Sequence, residues 1–147
     1  MTKKRMYEGG CLCGAVRYRA TEDPLWVMHC HCSRCRKMSG AAFSTGVGFA
    51  PETFAWTKGV PTLYRSSAKA TRGFCSRCGS KLTWESLERP GVFSVSLGSL
   101  DRPEVMRPQS HNWATTRLPW LPLHDGLPQY PEINTDWSPD DPPPVQP

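Results

Sequence analysis

Seven cysteines in 147 residues fall into three tight clusters, and no other feature of this chain constrains its fold and chemistry as much. The clusters are Cys11-x-Cys13, Cys30-x-Cys32-x-x-Cys35 and Cys75-x-x-Cys78. Cysteine makes up under 5% of the chain, below the level of a secreted disulfide scaffold. The odd count leaves one thiol over in any all-disulfide scheme. In a reducing cytosol, clustered thiols are metal ligands or catalytic groups. Cys75-Ser76-Arg77-Cys78-Gly79 has the form of a zinc knuckle, a tight turn whose glycine takes positive φ. In Cys-x-Cys along a strand, alternate residues share a face, so Cys11 chelates with Cys13 and Cys30 with Cys32. Soft thiolates favour zinc or an iron–sulfur centre.

Ligand counting divides the seven thiols into four and three. A structural zinc is closed by four ligands, whereas a catalytic zinc has three and keeps one position open. The middle cluster supplies three from Cys30, Cys32 and Cys35, and the outer pairs together supply Cys11, Cys13, Cys75 and Cys78. The alternative is that the middle cluster closes on a fourth ligand, His111 or His124. His29 and His31 belong to the strand face opposite Cys30 and Cys32. The cations Arg34, Arg36 and Lys37 flank the middle cluster, where they would keep thiolates deprotonated. Arg34 is the one marked as a substrate contact, for a carboxylate.

Strand signals dominate the rest of the chain. Val16–Arg19, Phe54–Trp56, Leu82–Trp84 and Phe93–Leu97 alternate apolar and polar residues, as half-buried antiparallel strands do. Glycines and prolines punctuate these runs. The best helical candidate is a short turn over Ser33–Met38. The expectation is a mostly β, compact antiparallel sheet fold with few or short helices, stapled by the structural four-cysteine zinc site. A single domain spans residues 1–131. Eleven of the 15 prolines lie after Asp101; Trp113, Trp120, Leu121 and Leu123 argue that this part packs on the body as an extended wrap. The Pro-rich tail, residues 132–147, is expected to be disordered.

Charge is uneven but compensated. Residues 1–81 carry a net +10 and residues 82–147 a net −5. Seven thiolates with two Zn²⁺ contribute −3, which takes the formal +5 to +2. No Lys/Arg run exceeds Lys3-Lys4-Arg5, so a nucleic-acid partner is not expected. No apolar run approaches the length of a membrane span, and no apolar segment follows the basic start, so a soluble cytoplasmic protein is the default.

Four blocks resemble the glutathione-dependent formaldehyde-activating enzyme family, whose relatives include centromere protein V. They are Gly10–Tyr18, Cys30–Lys37 continuing to Ala41, Tyr64–Ser66 with Arg72–Ser80, and Gly98–Asp101; Leu118–Trp120 with Asp125–Pro128 is a looser fifth. The resemblance implies a compact antiparallel β fold and two Zn²⁺ per chain. One is structural, held by Cys11, Cys13, Cys75 and Cys78, and one catalytic, held by Cys30, Cys32 and Cys35. It also implies a carbon–sulfur lyase that joins a small thiol such as glutathione to a small aldehyde such as formaldehyde. A nascent alkoxide would then need a proton donor, for which His31, His111 and Arg34 are candidates. The alternative function is a zinc-stabilised binding module for nucleic acid or protein, without catalytic activity.

Overall fold

The computed structural model describes residues 4–133 and Val145. Tyr7–Gly10 (β1), Arg17–Ala20 (β2) and Phe54–Lys58 (β5) form a three-stranded antiparallel sheet in the order β1-β2-β5. The larger sheet has seven strands in the order β10-β3-β4-β9-β8-β7-β6. These are Ser110–Asn112 (β10), Trp26–Cys30 (β3), Ser44–Gly48 (β4), Phe93–Ser96 (β9), Lys81–Ser86 (β8), Ala70–Phe74 (β7) and Thr62–Arg65 (β6). Every pairing within it is antiparallel except β10 with β3, which is parallel and sets His111 opposite His29. The fold is mostly β, with one seven-residue helix among the described residues, Ser33–Ser39 (α1), and short 3₁₀ turns.

The period-2 pattern explains how the large sheet is buried. Val27, Val47 and Val95 are fully buried in one core with Tyr18, Phe49 and Leu100, and β3, β4 and β9 place those three valines in register. Tyr18 brings the small sheet onto this core, stacking on Phe54 and meeting Trp56 edge-on. Apolar burial of this kind is worth roughly 25 cal/mol per Å² removed from water. The alternate residues of the same strands, Trp26, Met28, Ser94 and Ser96, face a cavity on the other side. Glycine at position 48 is required there, because a Cβ would lie 2.2 Å from the Trp26 ring.

The chain beyond β10 does wrap the body. Amides of Trp113 and Ala114 donate to the carbonyls of Glu132 and Tyr130, and Tyr130 N–H returns to His111 C=O. Trp113 and Leu121 are half-buried, but Trp120 is 70% exposed and does not serve as an anchor of the wrap. Trp113 takes a left-handed φ of 56°, a conformation that costs a non-glycine residue about 1–2 kcal/mol. Of the Pro-rich tail, Ile133 is exposed and Val145 is buried in the core and bridges Met106. Most of the segment expected to be disordered, 134–144 with 146–147, lies outside the described residues.

Candidate active site

Two loops carry the first cysteine cluster. Cys11 and Cys13 lie in the β1–β2 connection, and Cys75 and Cys78 in the β7–β8 connection, so the cluster ties the small sheet to the large one. The strand geometry expected for Cys11-x-Cys13 is replaced by a turn: Gly14 N–H bonds Cys11 C=O at 3.2 Å, with Gly14 at φ 77°. A turn lets both sulfurs converge as alternation along a strand does not require. Cys13 Sγ lies 3.6 Å from Cys11 Sγ and 3.8 Å from Cys75 Sγ. Four thiolates about 2.3 Å from a tetrahedral ion stand about 3.8 Å apart, so this donor set fits such an ion. The knuckle is formed as its sequence requires, with Gly79 at φ 79° and its N–H on Cys75 C=O at 2.8 Å. Val16 N–H points at Cys11 Sγ and the Ser80 hydroxyl at Cys78 Sγ. The Ser80 hydroxyl, helped by the backbone, holds the Cys78 thiol down to about 5.

Cys30, Cys32 and Cys35 bring their sulfurs within 4.8 Å of one another. Cys30 ends β3, while Cys32 has left the strand and caps α1, its sulfur accepting from Cys35 N–H at 3.3 Å. The helix stops at Gly40, which takes a left-handed φ of 66°. Among the described residues no other Cys, His, Asp or Glu joins this group. His111 is turned to another cluster, and His124 is exposed.

The three sulfurs lie in the wall of a cavity of about 430 Å³, within the range of small-molecule sites. Its other walls include Trp26, Trp84, Arg72 and Lys81, with exposed Arg89. Arg72 is 3% exposed, and both of its terminal nitrogens lie 3.7 Å from Cys35 Sγ. Its Nε–H is anchored on Ser66 Oγ at 3.1 Å, and Lys81 Nζ on Ser44 Oγ at 2.7 Å. No carboxylate among the described residues pairs with Arg72. A buried guanidinium needs a counter-charge, and the thiolates provide it. Hydrogen bonds from Cys30 and Cys32, with Arg72 and Lys81 nearby, hold Cys35 well below the ordinary thiol range. Hydrogen bonds with Cys32 and Cys35 drive the Cys30 thiol the other way, well above the ordinary range. Burial lowers the Lys81 ammonium.

Arg72 and Lys81 are the site residues that sequence reading passes over. A cation on a strand carries no local signal of which face it takes, and the cations flanking the cysteines drew attention instead. Of those, Arg34 and Lys37 are exposed on α1, Arg36 is half-buried, and none lines the cavity. His31 and His111 do not line it either; they bond each other at 2.8 Å as part of a histidine cluster.

Comparison with known proteins places this arrangement. A family model described as glutathione-dependent formaldehyde-activating enzyme matches residues 6–116. The chain belongs to that family. A Halomonas elongata protein whose name assigns it to glutathione-dependent formaldehyde activation is 32% identical over 114 residues, covering 67% of this chain and 70% of that one. An uncharacterized lyase of Schizosaccharomyces pombe is 33% identical over 76 residues, 52% of this chain and 55% of that protein. A crystal structure of a Rhodobacter sphaeroides protein shares the fold at a TM-score of 0.51 and 19% identity, over 84% of this chain and 98% of that one. Membership in the formaldehyde-activating family points to lyase-type activity. None of the seven cysteines forms a disulfide, and both cysteine clusters have the geometry to hold a metal. No helix among the described residues is long and apolar enough to cross a membrane.

The Arg72 contact carries a prediction. Outer partners of metal ligands are worth about 10–100-fold in metal affinity or activity. Arg72→Gln is therefore expected to weaken metal retention at the three-cysteine cluster by about that factor, read by competition with a chromogenic chelator. Retention at the Cys11/Cys13/Cys75/Cys78 cluster is expected to stay unchanged.

Proposed function

We propose that this protein is a zinc-dependent carbon–sulfur lyase of the cytosol that adds glutathione, or another small thiol, to a small aldehyde such as formaldehyde, and reverses that addition. The observation that carries this reading is the three-thiolate cluster in the wall of a 430 Å³ cavity, with buried Arg72 and half-buried Lys81 beside it. Cys11, Cys13, Cys75 and Cys78 hold a structural Zn²⁺, and Cys30, Cys32 and Cys35 hold a second Zn²⁺ with one position free for substrate. When bound, that second ion supplies Lewis acidity and favours the thiolate form of a substrate thiol.

The remaining chemistry belongs to the chain. Trp26 and Trp84 wall the cavity. Arg89 at the exposed rim, with Arg34 on α1 as an outer contact, meets the substrate's carboxylates. Arg72 offsets the negative charge gathered at the sulfurs. In the forward direction the substrate sulfur bonds to the carbonyl carbon and the C=O π pair moves to oxygen. Lys81 Nζ, an ammonium made more acidic by burial, gives its proton to that oxygen. The amine regains a proton from the next incoming thiol, so the cycle balances.

Exchange spectroscopy with ¹³C-formaldehyde and glutathione tests the reading. The zinc-loaded protein is expected to accelerate interconversion of free aldehyde and hydroxymethyl thioether above the spontaneous rate. An exchange rate unchanged by the protein for glutathione and for other small thiols would refute it.

A further inference from the structure

We propose that His29, His111 and Asp125 form a third metal site, separate from both cysteine clusters, for a first-row divalent cation that accepts nitrogen and oxygen ligands, such as Zn²⁺ or Co²⁺. One donor atom from each of the three lies within 4.8 Å of the others. Parallel pairing of β3 with β10 sets His29 directly opposite His111, and the rings stack with centroids 4.7 Å apart. His111 Nε2 is 2.7 Å from Asp125 Oδ2. Met28 and Cys30 face the thiolate cavity, so His29 between them points to the other face of the sheet.

Each of the three also has the outer contact that ligating side chains use to fix their orientation. His29 Nδ1 is 2.7 Å from Thr45 Oγ1, which leaves Nε2 as its ligand atom. His111 Nδ1 is 2.8 Å from His31 Nε2. Asp125 Oδ1 accepts from Leu127 N–H at 3.1 Å. Asp125 has a side chain 42% exposed, which gives an ion a way in from solvent. Two imidazoles and a carboxylate suit first-row divalent ions with borderline ligand preference.

Occupation also sets the tautomers. Without an ion, His111 Nε2–H donates to Asp125, so Nδ1 accepts from His31 Nε2–H. With an ion on Nε2, the His111 proton sits on Nδ1 and donates to His31 Nε2. His31 then carries its proton on Nδ1, a buried atom with no partner among the described residues. One bound ion thus switches the tautomers of two imidazoles.

The test equilibrates the protein with Co²⁺ and follows binding against the sulfur-to-cobalt charge-transfer band. That band reports only the cysteine clusters. We expect one further equivalent to bind without adding to it, and Asp125→Asn to weaken that equivalent by at least about 100-fold while leaving the band intact. Nitrogen-15 spectra of the zinc-loaded protein are expected to show His111 protonated at Nδ1, reverting to Nε2 when this ion is removed. No equivalent beyond those producing the band, or an extra equivalent unchanged in Asp125→Asn, would overturn the proposal. An intact band in the variant shows that the fold has survived.

Discussion

Cys78→Ala is expected to abolish the cooperative native fold. The cluster it breaks joins segments 62 residues apart in the chain and couples the β1–β2 connection to the β7–β8 connection. Structural zinc binding is worth on the order of 10–16 kcal/mol in small domains, which matches or exceeds the roughly 5–15 kcal/mol of a typical native state. Tyr18 also joins the small sheet to the main core, outside this cluster. The buried apolar residues packed around the cluster are Val16 and Leu82, with Ala15 and Trp56 at the margin. Removing one thiolate also strands Cys75, which is 1% exposed, beside an incomplete site. Near-ultraviolet circular dichroism on heating is the measurement. A sharp transition at the wild-type temperature, with full metal content, would show that the cluster has no structural role.

Cys32→Ala is expected to do the opposite: activity falls to the uncatalysed background and one metal is lost, while the fold persists. Cys32 is half-buried and its sulfur caps α1 by accepting from Cys35 N–H. Loss of a cap costs about 1 kcal/mol, which a domain stapled by the other cluster tolerates. The two sulfurs left, Cys30 and Cys35, hold an ion less tightly, and Arg72 then faces a weaker counter-charge. Metal content per chain and the melting curve, measured on one preparation, separate the two effects. Wild-type activity in a variant lacking Cys32 would remove the cluster from the mechanism.

The contrast between these two variants reflects what a linear sequence can and cannot disclose. Short-range signals carry over well. The alternation in Phe93–Leu97 becomes β9 over Phe93–Ser96, the turn expected over Ser33–Met38 becomes α1 over Ser33–Ser39, and Gly79 takes the positive φ that a knuckle demands. Cysteine spacing divides the thiols as the folded chain groups them, because chelation acts through local geometry. Face assignments are less legible. Cys11 and Cys13 converge through a turn at Gly14, and Cys32 leaves the strand to cap a helix, although both pairs fit strand alternation equally well on paper.

Long-range partners leave no periodic trace at all. Arg72 reaches Cys35 from a strand 37 residues away, and Lys81 reaches Ser44 across the same separation. The histidine cluster depends on a parallel pairing that brings together residues 80 apart, His31 and His111. Three of the four histidines in the chain meet there, with Asp125, and their positions in the sequence do not foretell it. Trp120 errs in the other direction: a large aromatic that reads as an anchor stays largely in solvent.

Cobalt substitution followed by glutathione titration tests the central claim most directly, because the absorption spectrum reports sulfur ligands and geometry at each site. One cobalt of the cysteine-bound pair is expected to shift its spectrum saturably as glutathione is added, and Cys32→Ala is expected to lose that response. A wild-type spectrum unmoved by glutathione and by other small thiols would contradict the account, since it would mean that the Cys30/Cys32/Cys35 centre accepts no thiol substrate.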